Sequence, residues 1–424
     1  MAIRGGRPAP TTRRMIVLGA GPVGVEAALH AALRGWDVSV LEAGRPAEHL
    51  LAWGHIRMFS PWEMNCSAAG LEVLEAQGER PFDDPKHHPT GRALARDYVV
   101  PLTRTPLLRG RVLSGCHVLG VTRDRTLKGD LVGDPVRGLR PFRVLTRRGG
   151  REVVFESEVV IDATGTFGQP RRLGNGGLQA PGEFAAADRI DHRPVDFSER
   201  RRDFAGKSIL LIGGGHSAMT AAVALKSIAA ESPRTRVFWA VRSDRQPYFR
   251  RIPDDPLPER DRLVVEAGAI AGGVGEGFTM IPAATIEAIA TSSPQARRAR
   301  GNVTARRPLR VTLRTSRGER QVAVDRLLAH VGFQPDRGIY AELQIHECYA
   351  SAGPMTLAAA LLGAGGADCL SQPASSAEVL ANPEPGFFIL GAKSYGRNSN
   401  FLIRTGVEQV RTLLAAIGPA RLVA

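Results

Sequence analysis

At 424 residues the chain is long enough for two or three domains with sizeable apolar cores. Hydrophobic residues make up 43% and charged residues 23%, near the average for globular proteins, and no run of about 18 uncharged apolar residues suggests a membrane span. The net charge of +14 rests almost wholly on arginine and is dispersed along the chain, without interleaved aromatics, so nucleic acid is not the expected partner.

Cys66, Cys116, Cys348 and Cys369 form no Cys-x-x-Cys pair and show no zinc-like spacing with histidine. Neither a redox pair nor a metal site is expected, and buried free thiols in a reducing compartment are the simpler reading. Residues 1–14 are basic and rich in Gly and Pro, which predicts a flexible arm. No apolar segment suited to a secretion signal follows, so the expectation is a cytoplasmic protein.

The first predicted strand, Met15–Leu18, runs into glycines, a helix through Leu33, a stop at Gly35 and a second strand, Val38–Leu41. A loop rich in aromatics, Trp53–Asn65, follows, then a helix over about Thr90–Leu102 and strands around Val112–Val121 and Phe142–Thr146. Val153–Phe155 and Val159–Ile161 read as a hairpin returning to the sheet. A second opening spans Lys207–Arg242: strand Ile209–Ile212, glycines, a helix through about Ile228, and strand Val237–Val241. After it come a Pro- and Arg-rich stretch, Gln246–Arg262, and strands at Val311–Arg314, Val322–Val324 and Leu327–Val331. A third opening joins strand Phe387–Gly391 to a helix from about Thr405 to Ile417. Strands alternating with helices call for parallel sheets covered by helices. The predicted fold is α/β, with two Rossmann-like doubly wound domains, one inserted into the other.

Gly19, Gly21 and Gly24 follow a strand and open a helix, the context in which Gly-x-Gly-x-x-Gly holds a dinucleotide. Gly19 permits the tight turn, Gly21 lets backbone approach a pyrophosphate, and Gly24 allows close helix–strand contact. Pro22 suits the first helical turn, where its missing N–H was unpaired anyway. Glu42 ends the second strand, where a carboxylate accepts from ribose hydroxyls. This geometry alone does not choose between FAD and NAD. Gly213, Gly215 and Ala218 repeat the arrangement, with His216 inside the loop within reach of phosphate and Ser217 beside the helix start. Here the second strand ends at Arg242, with Arg245 close behind. A guanidinium fork binds a 2′-phosphate that a carboxylate would repel, so NADPH is expected over NADH.

With both loops in view, the sequence resembles the two-dinucleotide-binding flavoproteins, a superfamily that includes flavin-containing (class B-like) monooxygenases and thioredoxin-reductase-like enzymes. Val159-Val-Ile-Asp-Ala-Thr-Gly165 looks like the superfamily's Ala-Thr-Gly linker strand, which puts Thr164 and Gly165 at the cofactor, and Val324–Asp336 looks like the return crossing. The resemblance implies FAD on the first loop and NADPH on the second. It implies an FAD-binding domain over residues 15–200 and 330–424, with an NAD(P)H-binding domain over 201–329 between them. Disulfide reductases of this superfamily need a cysteine pair that this chain lacks. The monooxygenase fingerprint Phe-x-Gly-x-x-x-His is also missing, since Phe184–His192 has neither its glycine nor its spacing. At the third opening Gly391 and Asn400 are expected near the flavin, the helix aims its positive end at the flavin pyrimidine, and Lys393 is an added cation.

With no thiol pair, the resemblance makes molecular oxygen the leading electron acceptor. The expected reaction is an FAD- and NADPH-dependent monooxygenation of a small molecule at a nucleophilic N or S, or beside a carbonyl, through a flavin C4a-hydroperoxide. Similar monooxygenases bring the segment matching Trp53–Asn65 to the isoalloxazine. That gives Asn65 a role in assisting the peroxide and makes Arg57 and Ser60 contacts to flavin or substrate. The alternative is an NADPH-dependent flavin reductase or oxidase that passes electrons on without oxygen insertion. No membrane partner is expected, and a homodimer is left open.

Overall fold

The computed structural model describes residues 13–274, 277–291, 308–363 and 376–420. All but the last two residues of the expected N-terminal arm, and Cys369, lie outside them. The chain forms two compact units, one ending at Gln169 and resuming at Gln334, the other Pro170–Phe333.

The first unit is built on five parallel strands in the order β16-β7-β1-β2-β3. They are β1 (Arg14–Leu18), β2 (Asp37–Leu41), β3 (Val112–Leu113), β7 (Val159–Asp162) and β16 (Phe387–Ile389). Met15 and Val17 pack into one core and Ile16 and Leu18 into another, so both faces are covered. That double burial is why these strands read as unbroken apolar runs. Leu18 pairs with Leu41 and with Asp162, and Asp162 with Ile389, which levels the carboxyl ends of four strands. α1 (Pro22–Leu33) follows β1, and α4 (Ile403–Ile417) closes the unit.

β4 (Cys116–Arg123), β5 (Phe142–Arg148) and β6 (Arg151–Ser157) form a separate antiparallel sheet. The hairpin expected between Val153–Phe155 and Val159–Ile161 is therefore corrected: β6 pairs with β5, and β7 lies between β1 and β16. The helix expected over Thr90–Leu102 runs from Gly91 to Arg104 with a π-helical turn at Ala95–Val99. The wide turn precedes Pro101, which has no N–H to give to a helical bond.

The second unit repeats the plan with order β11-β10-β9-β15-β8, all parallel. Its strands are β8 (Ile190–Asp191), β9 (Ser208–Ile212), β10 (Arg236–Ala240), β11 (Phe278–Ile281) and β15 (Arg326–Ala329). β12 (Thr285–Ala290), β13 (Leu309–Thr315) and β14 (Gly318–Val324) cover one face; α2 (His216–Glu231) and α3 (Pro258–Ala269) pack on the other. α3 grows out of the Pro- and Arg-rich stretch, with Pro258 in its first turn beside Glu259 and Asp261. Residues 170–200 fall in this unit, not in the first as expected, because β8 pairs with β15. The chain re-enters the first unit at Phe333–Gln334, within the expected return crossing Val324–Asp336 but past the expected domain boundary at 329–330.

Candidate functional site

In the first unit Gly19 has φ +92°, and a side chain there would press on Ala163 O at 3.0 Å. A Cβ on Gly24 would sit 2.0 Å from Gly19 O, so only glycine lets α1 seat against the turn. Gly21 has open space where its Cβ would be, and it starts α1 with no side-chain cap. With Pro22 next, the first-turn N–H groups are left to an outside acceptor. Glu42 accepts from Ala20 N at 2.7 Å through Oε2 and from Gly44 N at 2.8 Å through Oε1. Those bonds take about two of the roughly four lone-pair positions of a carboxylate, leaving the others for hydroxyl donors.

Beside this loop, Thr164 donates to Asp162 Oδ1 at 2.6 Å and accepts from Lys393 Nζ at 3.0 Å. Lys393 Nζ lies 2.6 Å from Asp162 Oδ2, with both side chains fully buried, and 5.0 Å from the Tyr340 ring centroid. The lysine expected as an added cation is thus one half of a buried ion pair, neutralised by an aspartate 231 residues away. Gly165, at φ +69°, opens onto free space. Gly391 donates to Gln409 Oε1 at 2.9 Å and approaches Val23 so closely that a Cβ would be 3.3 Å from Val23 Cβ. Asn400 is exposed ahead of α4, its N–H given to Asn398 Oδ1 at 3.0 Å.

The Trp53–Asn65 segment is tied down by residues 85–90, through Met58 N to Pro89 O and Trp62 N to His87 O. Arg57 is exposed and donates to His88 O at 3.3 Å. Ser60 and Asn65 are buried on one another: Ser60 Oγ donates to Asn65 Oδ1 at 3.0 Å. Asn65 Nδ2 gives its hydrogens to Ser60 O at 3.1 Å and Pro61 O at 2.7 Å. The amide expected to serve a peroxide is spent on holding its own loop.

Sequence reasoning missed Asp162 and Tyr340. It also missed a buried group around Glu26, which takes the Tyr98 hydroxyl as a hydrogen-bond partner, while Ser67 N donates to that hydroxyl at 2.9 Å. Burial raises the Glu26 carboxyl above its ordinary range, partly opposed by the Tyr98 and Ser67 bonds. His30, 3.6 Å from Glu26 Oε2, is pushed down to about 4 by burial and by Arg34. An acidic residue on the apolar face of a helix is the signal that marks Glu26.

In the second unit Gly213 has φ +126°, and a Cβ there would be 2.2 Å from His330 O. Gly215 opens onto free space and begins α2 without a side-chain cap. Ala218 is fully buried under the turn, while His216 and Ser217 are exposed on the first turn. Arg242 and Arg245 are exposed just past β10, where Ser243 Oγ accepts from Arg245 N at 3.2 Å. Among the described residues no carboxylate pairs with either guanidinium.

Two glycine loops, each at the carboxyl edge of its own parallel sheet, define a chain with two dinucleotide-type units. No family model matches it. It is similar to the bacillithiol disulfide reductase of Bacillus cereus, at 18% identity and a TM-score of 0.67 over 96% of this chain and 99% of that one. It is also similar to the ornithine N-hydroxylase of Kutzneria sp. 744, solved with reduced FAD, NADP+ and L-ornithine, at 14% identity and a TM-score of 0.62 over 96% and 99%. A ferredoxin–NADP reductase of Lactococcus lactis subsp. cremoris (strain SK11) is 25% identical over 218 residues, 51% of this chain and 53% of that protein. In that match the chain spans about half the length of its relative. Both solved structures share this chain's fold over nearly its whole length.

Proposed function

We propose that the chain is a flavin-dependent oxidoreductase that holds FAD on the first unit and NADPH on the second. The observation that carries this reading is the contrast between the two loops. Each has a turn only glycine fits and an uncapped helix start, yet one is bonded to Glu42 at the end of its neighbouring strand while the other's neighbouring strand is followed by Arg242 and Arg245. Together the bound pair supplies two-electron transfer from nicotinamide to flavin. Gly21 and Gly215 give room for a pyrophosphate, and the first-turn N–H groups of α1 and α2 bind it. Glu42 orients an unphosphorylated ribose, and the two arginines hold a 2′-phosphate. The Lys393–Asp162–Thr164 cluster fixes the linker strand and the turn after β16 in one geometry.

As electron acceptor we assign molecular oxygen, with a small molecule oxygenated at a nucleophilic N or S or beside a carbonyl. The likeness to an N-hydroxylase and the lack of any Cys-x-x-Cys pair support that assignment. A second reading, reduction of a small molecule or partner without oxygen insertion, is favoured by Asn65, whose amide hydrogens are both committed to backbone carbonyls. The test is anaerobic reduction of the FAD-loaded protein by NADPH, then mixing with oxygen in the presence of candidate amines and thiols. Oxygenated product in proportion to NADPH supports the first reading. Peroxide alone, or no reoxidation until an artificial acceptor is added, supports the second. Absence of flavin reduction by NADPH would remove both.

A further inference from the structure

The turn Gly391–Tyr395 follows β16, and Arg397 comes two residues after it. The Arg397 guanidinium is exposed and lacks a counter-charge. Among the described residues it meets only Gln334 Oε1, at 3.5 Å, the outer limit for a hydrogen bond, and no carboxylate. The backbone that carries it is firmly held. Arg397 N donates to Ser351 O at 2.7 Å, and Gly396, at φ +62°, passes so close that a Cβ there would be 2.1 Å from the same oxygen. Lys393, buried against Asp162, ties the turn to β7.

Arg397 lines a cavity of about 240 Å³ whose walls all belong to the first unit. Arg337 lines it too, together with Gln334, Gly338 and Ala352. The counter-charge of Arg337, Glu347, lies at 3.4 Å and also accepts from the Tyr340 hydroxyl at 2.7 Å. Asp336 is turned to the backbone, its Oδ1 accepting from Gly338 N at 2.9 Å. The lining therefore carries two guanidiniums and no carboxylate. Ala352 stands at φ +59° with its N–H given to Cys348 O at 2.7 Å, so that wall is fixed as well. Arg397 also stands past the carboxyl end of β16, the edge of the sheet on which the first glycine loop lies and where such sheets seat ligands.

A guanidinium binds carboxylate or phosphate through a fork of paired N–H donors, so two of them on one cavity select an oxyanion. The volume lies below the roughly 300–1,000 Å³ of sites for drug-sized molecules, which restricts the ligand to a small one. We propose that this cavity anchors the carboxylate or phosphate end of a small anionic substrate, with Arg397 as its main contact and Arg337 as the second. That the ligand is a substrate rests on the oxidoreductase reading above; that it is an oxyanion rests on the cavity alone.

Four proteins (wild type, Arg397→Gln, Arg397→Lys and Arg337→Gln, each FAD-loaded) are titrated in a calorimeter with succinate, inorganic phosphate and succinamide, the uncharged counterpart of succinate. Wild type should bind at least one of the two anions and not succinamide, and the anion preferred tells a carboxylate-bearing ligand from a phosphate-bearing one. Arg397→Gln and Arg337→Gln should each weaken that binding tenfold or more. Arg397→Lys, which keeps the charge without the fork, should recover part of the loss. No anion binding by wild type, equal binding of succinamide, or unchanged affinity in both glutamine variants would overturn the site. Loss of FAD from Arg397→Gln would overturn it too, by giving the guanidinium to the cofactor. If NADPH reduces the wild-type flavin but no anion binds, this inference fails and the oxidoreductase reading stands. If an anion binds through Arg397 but NADPH does not reduce the flavin, the oxidoreductase reading and the substrate role fail together.

Discussion

Removing the ammonium of Lys393 should be among the most damaging single changes available in the first unit. Lys393→Met keeps the length of the side chain but leaves the Asp162 carboxylate, fully buried, with only the N–H and hydroxyl of Thr164 as donors among the described residues. An uncompensated buried charge of this kind costs about 3–5 kcal/mol, a large share of a total stability of roughly 5–15 kcal/mol. Replacing both partners by apolar side chains of similar size is far milder, because the desolvated charge disappears with its counter-charge. The double variant Lys393→Met/Asp162→Leu should therefore recover most of what either single change loses. Urea unfolding followed by tryptophan fluorescence measures this and also supplies an internal control. Trp36, Trp53 and Trp62 belong to the first unit and Trp239 to the second. A Trp239→Phe background follows the first unit alone. A loss below about 1 kcal/mol for Lys393→Met, or single losses that simply add in the double variant, would refute a tightly coupled pair.

Arg242→Ala/Arg245→Ala should erase most of the preference for NADPH over NADH, raising KM for NADPH tenfold or more with little change in kcat, as steady-state assays with both nucleotides would show. Gly24→Ala drives a methyl into Gly19 O, so the protein should purify with little or no bound flavin, which its visible absorbance reports. Stability should fall as pH drops from 6.5 toward 4. His30 and His330 each titrate near 4 in the folded state and near 6.5 when unfolded, so acid is taken up on unfolding, at up to about 1.4 kcal/mol per pH unit for each. His330→Leu should flatten that slope in denaturation midpoints. Glu26 works the other way: its raised carboxyl favours the fold below about 4.5 and opposes it as pH rises through the folded value, so Glu26→Gln should gain on wild type at pH 8.

The parts legible in the sequence are those where one residue type is forced by contacts a few residues away. Gly24 must be glycine because of Gly19 O, and the ends of β2 and β10 follow their glycine turns at a fixed distance. An apolar run such as Val159–Ile161 likewise announces a strand buried on both faces. The same feature warned against the hairpin with Val153–Phe155, since β6 is largely exposed and β7 wholly buried, and two strands so unlike in burial do not share a face. What stayed hidden depends on partners far along the chain. Asp162 and Lys393 meet only because β16 returns beside β7, and two-residue β8, which carries residues 170–200 into the second unit, is too short to show any period. Asn65 marks a different limit. Its residue type fits a donor to a reacting oxygen and equally a brace for its own turn, and the carbonyls of Ser60 and Pro61 decide for the brace. His330 is the reverse case: nothing in the string Leu-Ala-His-Val-Gly marks it, and only its burial and the press of its carbonyl oxygen on Gly213 do. The functional residues that sequence reasoning misses are thus the ones whose chemistry is set by partners far along the chain, as Lys393 sets that of Asp162 and Tyr98 that of Glu26.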